Sequence, residues 1–226
     1  MKKSILGLTK FEISLWAVSM LCIAISFLLF DTSKPMTLIA SLVGATGLIF
    51  LAKGYVIGQI IVIIFAILYS IVSYDLKYYG EMITYLGMSA PIAAISAISW
   101  FKNRYKDTKE VTVARLSRKK LIWTLVLTTA VTILFYFILK SLGNASLFVS
   151  TLSIFTSFFA ASLTFLRSPY YAIGYGFNDI ILIILWSIAT VENVGNLPML
   201  VCFIVFLVND TYGFINWKRM QKRQSL

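Results

Sequence analysis

Between Tyr171 and Trp217 the chain is almost wholly apolar, yet it carries Asn178, Asp179, Asn209, Asp210 and Asn216. Two apolar runs in this stretch, each of roughly 20 residues, are long enough to cross a bilayer as helices. Carboxylates and carboxamides are costly there, and by default they mark a ligand or ion path. At 3.6 residues per turn Asp179 and Trp186 share one helix face, with Asn178 one step aside. Asn209 and Asn216 share a face of the last run, with Tyr212 between them. An earlier run places Gln59, Ala66, Ser70 and Ser73 on one stripe, with Tyr69 at its flank. Ser150, Ser153, Ser157 and Thr164 form a similar stripe. Amides and hydroxyls bond a sugar's hydroxyl groups, and aromatic faces stack on a flat ring or hold a cation. The residues expected to bind such a ligand are Gln59, Tyr69, Asn178, Asp179, Trp186, Asn209, Tyr212 and Asn216.

Plainer roles compete for several polar and aromatic positions. Stripes of small residues commonly pack helices together. Trp100 and Trp217 stand beside basic residues and are expected as interfacial anchors. Tyr78, Tyr79 and Glu81 are expected at the outer rim. Asp210 is open between lining the path, pairing with Lys218 or Arg219, and reaching water.

Much chemistry is excluded at this level. Without histidine, neither a Ser-His-Asp nor a Cys-His centre can form. No GxxxxGK[ST] motif is present, so the chain carries no P-loop of its own. Cys22 and Cys202 lie inside apolar runs, with neither disulfide nor metal spacing. No catalytic residue, metal or cofactor is expected, and an intramembrane enzyme is disfavoured.

The elements that must position these residues follow from composition. The chain has 226 residues, of which 59% are hydrophobic and 13% charged. Soluble domains have about 25% charged residues, so this is an integral membrane protein of the all-α class. The net charge of +11 reads as basic loops held at the cytoplasmic face and not as a nucleic-acid surface. Apolar spans are expected at 11–30, 37–52, 55–73, 80–100, 121–140, 147–166, 170–190 and 197–217. The N-terminal run is long and lacks a clean cleavage site, so it reads as the first helix rather than a signal peptide.

Lysines and arginines alternate in number between successive connections. Lys2, Lys3, Lys10, Lys53, Arg167, the segment from Lys102 to Lys120 and the C-terminal cluster fall on one side; Lys34, Lys77 and Lys140 fall on the other. This asymmetry predicts an even number of spans with both termini in the cytoplasm. The basic 101–120 segment reads as a topology signal and solvated linker. A shift of 117 residues lays Gly54–Lys102 over Tyr171–Arg219, pairing Tyr69 with Trp186 and Trp100 with Trp217. The same shift lays 37–52 over 154–168. The single transport unit, 1–226, then divides into an extra helix (11–30), repeat one (37–100), a linker helix (121–140) and repeat two (147–217). One linking span leaves the repeats parallel, with a site near the midplane between them.

The stretches AKGYVIGQIIVIIFAILYSIVSY, YYGEMITYLGM, GYGFNDIILIILW and VNDTYGFINWKRMQKRQ resemble the PnuC-type vitamin transporters, from about Asp31 to Gln224. The resemblance implies a SWEET-like three-plus-one-plus-three bundle in the bacterial inner membrane. It implies facilitated diffusion of nicotinamide riboside, drawn inward by a cytoplasmic kinase, and a homotrimer. Family asparagines fall on Asn178 and Asn209. The first-repeat equivalent of Asn178, often asparagine in the family, is Ile61 here, with Gln59 two residues away. Relatives carry thiamine, riboflavin or deoxynucleosides, so another vitamin or nucleoside is an alternative ligand. Proton coupling through Asp179 or Asp210 is an alternative mechanism. A scaffold without transport is disfavoured, because it needs no central polar site.

Overall fold

The computed structural model describes residues 7–31, 33–75, 78–144 and 146–225. Lys2, Lys3 and Lys77, used above for orientation, lie outside them. Among the described residues, eight helices are long and apolar enough to cross a membrane: α1 (Lys10–Phe30), α2 (Pro35–Ala52), α3 (Val56–Asp75), α4 (Tyr79–Lys102), α5 (Arg118–Ser141), α6 (Leu147–Phe165), α7 (Tyr171–Glu192) and α8 (Leu197–Gln224). Each matches one predicted span.

Local chemistry sets the helix ends. Thr9 and Glu12 form a reciprocal capping box at the start of α1. Pro35 opens α2 and Pro198 lies in the first turn of α8, where a missing N–H costs nothing. The Ser117 hydroxyl caps α5. Pro91 lies inside α4, where it removes one ladder hydrogen bond. Just before it the helix widens into a π turn, Tyr85–Ser89.

Helices α2–α4 form one triplet and α6–α8 the other. In each, the middle helix packs on both neighbours, and the triplets meet where α2 touches α8 and α4 touches α6. Helix α1 lies against α2 and α8, and α5 packs principally on α6. With eight crossings the start of α1 and the end of α8 share a face, called here the terminal face.

The two parallel triplets are related by an axis, and residues 117 apart meet on it. The Trp186 indole Nε1 donates to the Tyr69 hydroxyl at 3.0 Å. Nearer the terminal face Trp100 and Trp217 pack with centroids 5.2 Å apart. Both tryptophans are fully buried, so they are core residues and not the interfacial anchors expected from the sequence. Each reaches the opposite triplet: Trp100 Nε1 donates to the Thr164 carbonyl and Trp217 Nε1 to the Leu51 carbonyl, both at 2.9 Å. These carbonyls stand 113 positions apart, so α2 and α6 correspond one helical turn away from the expected register. Gly54 (φ 67°) and Arg167 (φ 57°), also 113 apart, turn the chain after each first helix.

The segment after α4 is a strap and not a free linker. Val111 is fully buried, its N–H donates to Gly54 O, and Ala114 N–H donates to Arg167 O. The strap thus joins the matching turns of both triplets. Gln224 at the end of α8 clasps it through Val113 N–H and Val111 O, and Arg223 pairs with Glu110.

Candidate functional site

A cavity of about 50 Å³ lies between the triplets, and all six of their helices line it; α1 and α5 do not. Helix α3 contributes Gln59 and Phe65, α7 contributes Tyr175, Asn178 and Asp179, and α8 contributes Phe206 and Asp210. Tyr85 and Ser89, the first and last residues of the π turn, come from α4. Ser157 and Thr164 of the small-residue stripe come from α6. Among the described residues no lysine or arginine lines the cavity.

The polar groups are buried, and some lack partners. Gln59 is 2% exposed and its Nε2 has no hydrogen-bond partner; Asp179 is 4% exposed and its Oδ2 has none. Buried polar groups are normally satisfied, and exceptions call for an explanation. A polar ligand supplies one here. Asp179 of α7 and Asp210 of α8 bring two buried carboxyl groups to the same small cavity. The Asn178 Oδ1 accepts from the hydroxyls of Thr156 at 3.0 Å and Ser153 at 3.3 Å, which ties α7 to α6. Ile61 faces Gly47 of the neighbouring helix, so Gln59 is the amide that α3 presents to the cavity.

Aromatic rings close both ends. Phe65 meets Tyr85 at 5.7 Å and Phe206 at 5.4 Å between centroids. Tyr85 touches Tyr69 at 4.4 Å, so the hydrogen-bonded Tyr69–Trp186 pair forms a roof on the side away from the terminal face. The floor is the Trp100–Trp217 pair, bonded to the carbonyls of Thr164 and Leu51, both of which also line the cavity. Sites for small organic ligands span roughly 300–1,000 Å³. Rings must therefore move to admit a nucleoside-sized ligand, and this conformation is closed on both sides.

Three of the sequence candidates point elsewhere. Asn209 Nδ2 donates to Ser19 Oγ of α1 at 3.0 Å, and the Tyr212 hydroxyl to Glu12 Oε1 at 2.6 Å. Asn216 Nδ2 donates to Ala52 O at 2.7 Å. They share one face of α8, as expected, but it faces α1 and the end of α2. The same Glu12 is buried and pairs with Lys53 at 3.2 Å. Glu81 departs from its expected place at the rim: it is 2% exposed and its Oε2 has no partner. Phe65, Tyr85 and Phe206 were not singled out from the sequence. Phenylalanines in apolar runs look alike, and the π turn that aims Tyr85 has only Pro91 as its sequence trace.

The comparisons with known proteins agree with this architecture. Residues 34–219 match a family described as nicotinamide mononucleotide transporter. A nicotinamide riboside transporter PnuC of Neisseria mucosa is 30% identical, over 97% of this chain and 85% of that protein. One of the same name from Haemophilus influenzae is 27% identical, over 83% of this chain and 81% of its own. A crystal structure of the vitamin B3 transporter PnuC superposes with a TM-score of 0.84 at 26% identity, covering 96% of this chain and 94% of that one.

Proposed function

This chain belongs to the nicotinamide mononucleotide transporter family, and from that premise we propose that it carries nicotinamide riboside across a bacterial inner membrane by facilitated diffusion. One observation carries the choice of ligand: among the described residues the cavity is lined by two carboxyl groups and no basic side chain. A phosphate monoester brings about −1.5 to −2 charges and would be repelled. The riboside lacks the phosphate and keeps a fixed pyridinium cation, which the carboxyl pair attracts. Two carboxyl groups that share one small site away from water titrate as a pair; in this reading they keep one proton between them and offer one negative charge to the ligand's one positive charge.

Gln59 and Asn178 bond the carboxamide and ribose in this reading, and Asp179 with Asp210 faces the ring cation. Phe65, Tyr85 and Phe206 stack around the ligand, while Tyr69 and Trp186 flank it and close over it. Asn209, Tyr212 and Asn216 hold α8 in place from its far side. The terminal face is cytoplasmic: Lys10, Lys53, Arg167, the strap and the end of α8 crowd basic residues there, whereas Lys34 and Lys140 lie on the other. Residues 1–226 act as one transport unit with the 3+1+3 division, and the assembly is a homotrimer. A cytoplasmic kinase traps the product, because adding a phosphate makes it the species the cavity repels.

The test is uptake of radiolabelled nicotinamide riboside into liposomes carrying the protein, clamped at zero membrane potential, with and without enclosed kinase and ATP. Equilibration alone, with accumulation only beside the kinase, is the expected result. Absence of uptake by a folded sample overturns the ligand and directs the same assay to thiamine, riboflavin and deoxynucleosides. The carboxyl pair also favours a second reading, proton-coupled symport. Accumulation without kinase, driven by an imposed pH gradient and abolished by an uncoupler, would establish it.

A further inference from the structure

We propose that the cleft between α4 and α5 is a binding site for an anionic phospholipid of the cytoplasmic leaflet, a reading that rests on the orientation given above. The linker helix packs principally on α6 and leaves a cleft of about 760 Å³ against α4. Its deep wall is apolar, with Ile92 and Ile95 from α4, Leu127 from α5 and Phe158 from α6. At the terminal end the lining turns basic, with Lys119 and Lys120 in the first turn of α5 and Trp123 one turn deeper. This is the polarity of a phospholipid: acyl chain along the wall, phosphate at the ammonium groups, indole at the boundary.

A second cleft, on the other flank of α6 between Phe155 and Phe177, has no charged residue in its lining. Only the first therefore distinguishes an anionic headgroup from a zwitterionic one. Charge also decides against a second copy of this chain as the occupant. At the terminal face Glu12 is buried against Lys53 and Glu110 is paired with Arg223; among the described residues this leaves Asp107 as the exposed carboxylate there, and Lys106 and Lys109 flank it in the strap. An apolar cleft open to the bilayer is filled by something, and lipid meets both its wall and its mouth.

The experiment is native mass spectrometry of the whole protein, released from detergent with phosphatidylglycerol or phosphatidylcholine. Wild type is expected to retain phosphatidylglycerol selectively. The double variant Lys119→Ala/Lys120→Ala should bind it about thirty-fold more weakly, from roughly 1 kcal/mol for each basic residue at a membrane surface. Ser162→Phe, which fills the cleft from α6, should lose the adduct at unchanged charge. The strap pair Lys106→Ala/Lys109→Ala should keep it. Equal retention of both lipids overturns the proposal, as does an equal loss in the strap pair. A change in subunit number for Ser162→Phe with retention intact also overturns it and assigns the cleft to a second copy. Lipid adducts are read without any transport, so the result stands apart from the identity of the ligand.

Discussion

Replacing Asp179 and Asp210 separately and together tests the charge logic of the cavity. Both groups line one small cavity, and in the proposed reading the pair carries one proton and one negative charge. Asp179→Asn or Asp210→Asn removes the shared proton's second site, but the remaining carboxyl keeps the charge. Only the double variant leaves the lining neutral. A charge and a pyridinium about 5 Å apart, at an effective dielectric of about 20, attract by roughly 3 kcal/mol. That is a preference of about 100-fold for a cationic ligand over an uncharged one of the same shape. The 1,4-dihydro form of nicotinamide riboside is such a ligand, since reduction removes the ring charge and little else. Competition by each form against labelled riboside in proteoliposomes gives the ratio directly. Each single variant should keep the wild-type ratio within several-fold, and the double variant should lose most of it. A double variant that folds and still discriminates as wild type refutes the argument. So does a single variant that already loses the full factor, because the charge would then belong to one residue and not to the pair.

Three further outcomes follow from the packing. Tyr69→Phe leaves the buried Trp186 N–H without its acceptor, costing about 1–2 kcal/mol in the closed form. In a Cys22→Ser background, labelling of Cys202, which is buried beside the same cluster, by an impermeant maleimide should rise about five- to thirty-fold; an unchanged rate would show that the pair is not a closure. Glu12→Gln takes the countercharge from the partly buried Lys53, and leaving such a group without its partner costs roughly 1–3 kcal/mol. A large fall in Tm is expected at unchanged substrate KM in molecules that remain folded, whereas a KM change at unchanged Tm would place Glu12 in the path. In Gly58→Val the new Cβ would lie 2.6 Å from the Leu51 backbone nitrogen. Helices α2 and α3 must then separate, and a loss of about 1–3 kcal/mol read by thermal melting is expected, with no loss for Gly87→Ala, whose nearest neighbour is 3.9 Å away.

Hydropathy and charge, read along the chain alone, determined the eight crossings, the two triplets and the 117-residue echo. These signals are one-dimensional: a bilayer dictates the length of each apolar run, and basic residues mark alternate connections. They also marked Gln59, Asn178 and Asp179, because polar side chains at mid-span are conspicuous against lipid-like surroundings. Which face of a helix looks at the cavity was decided only by tertiary structure. Helix α8 is covered by α7 on one side and by α1 and α2 on another, so both its Asn209–Tyr212–Asn216 face and its Phe206–Asp210 face pack against other helices, and both carry polar groups in the sequence. Periodicity groups residues on a face but does not say what packs against it. The same holds for Glu81, drawn inside by the start of α4, and for the strap, whose buried Val111 lies in a stretch rich in charged and polar residues. The one-turn offset between α2 and α6 also escaped the sequence, since sliding an apolar helix by a turn leaves its pattern intact. Two indole N–H groups, each needing a carbonyl away from water, select the register.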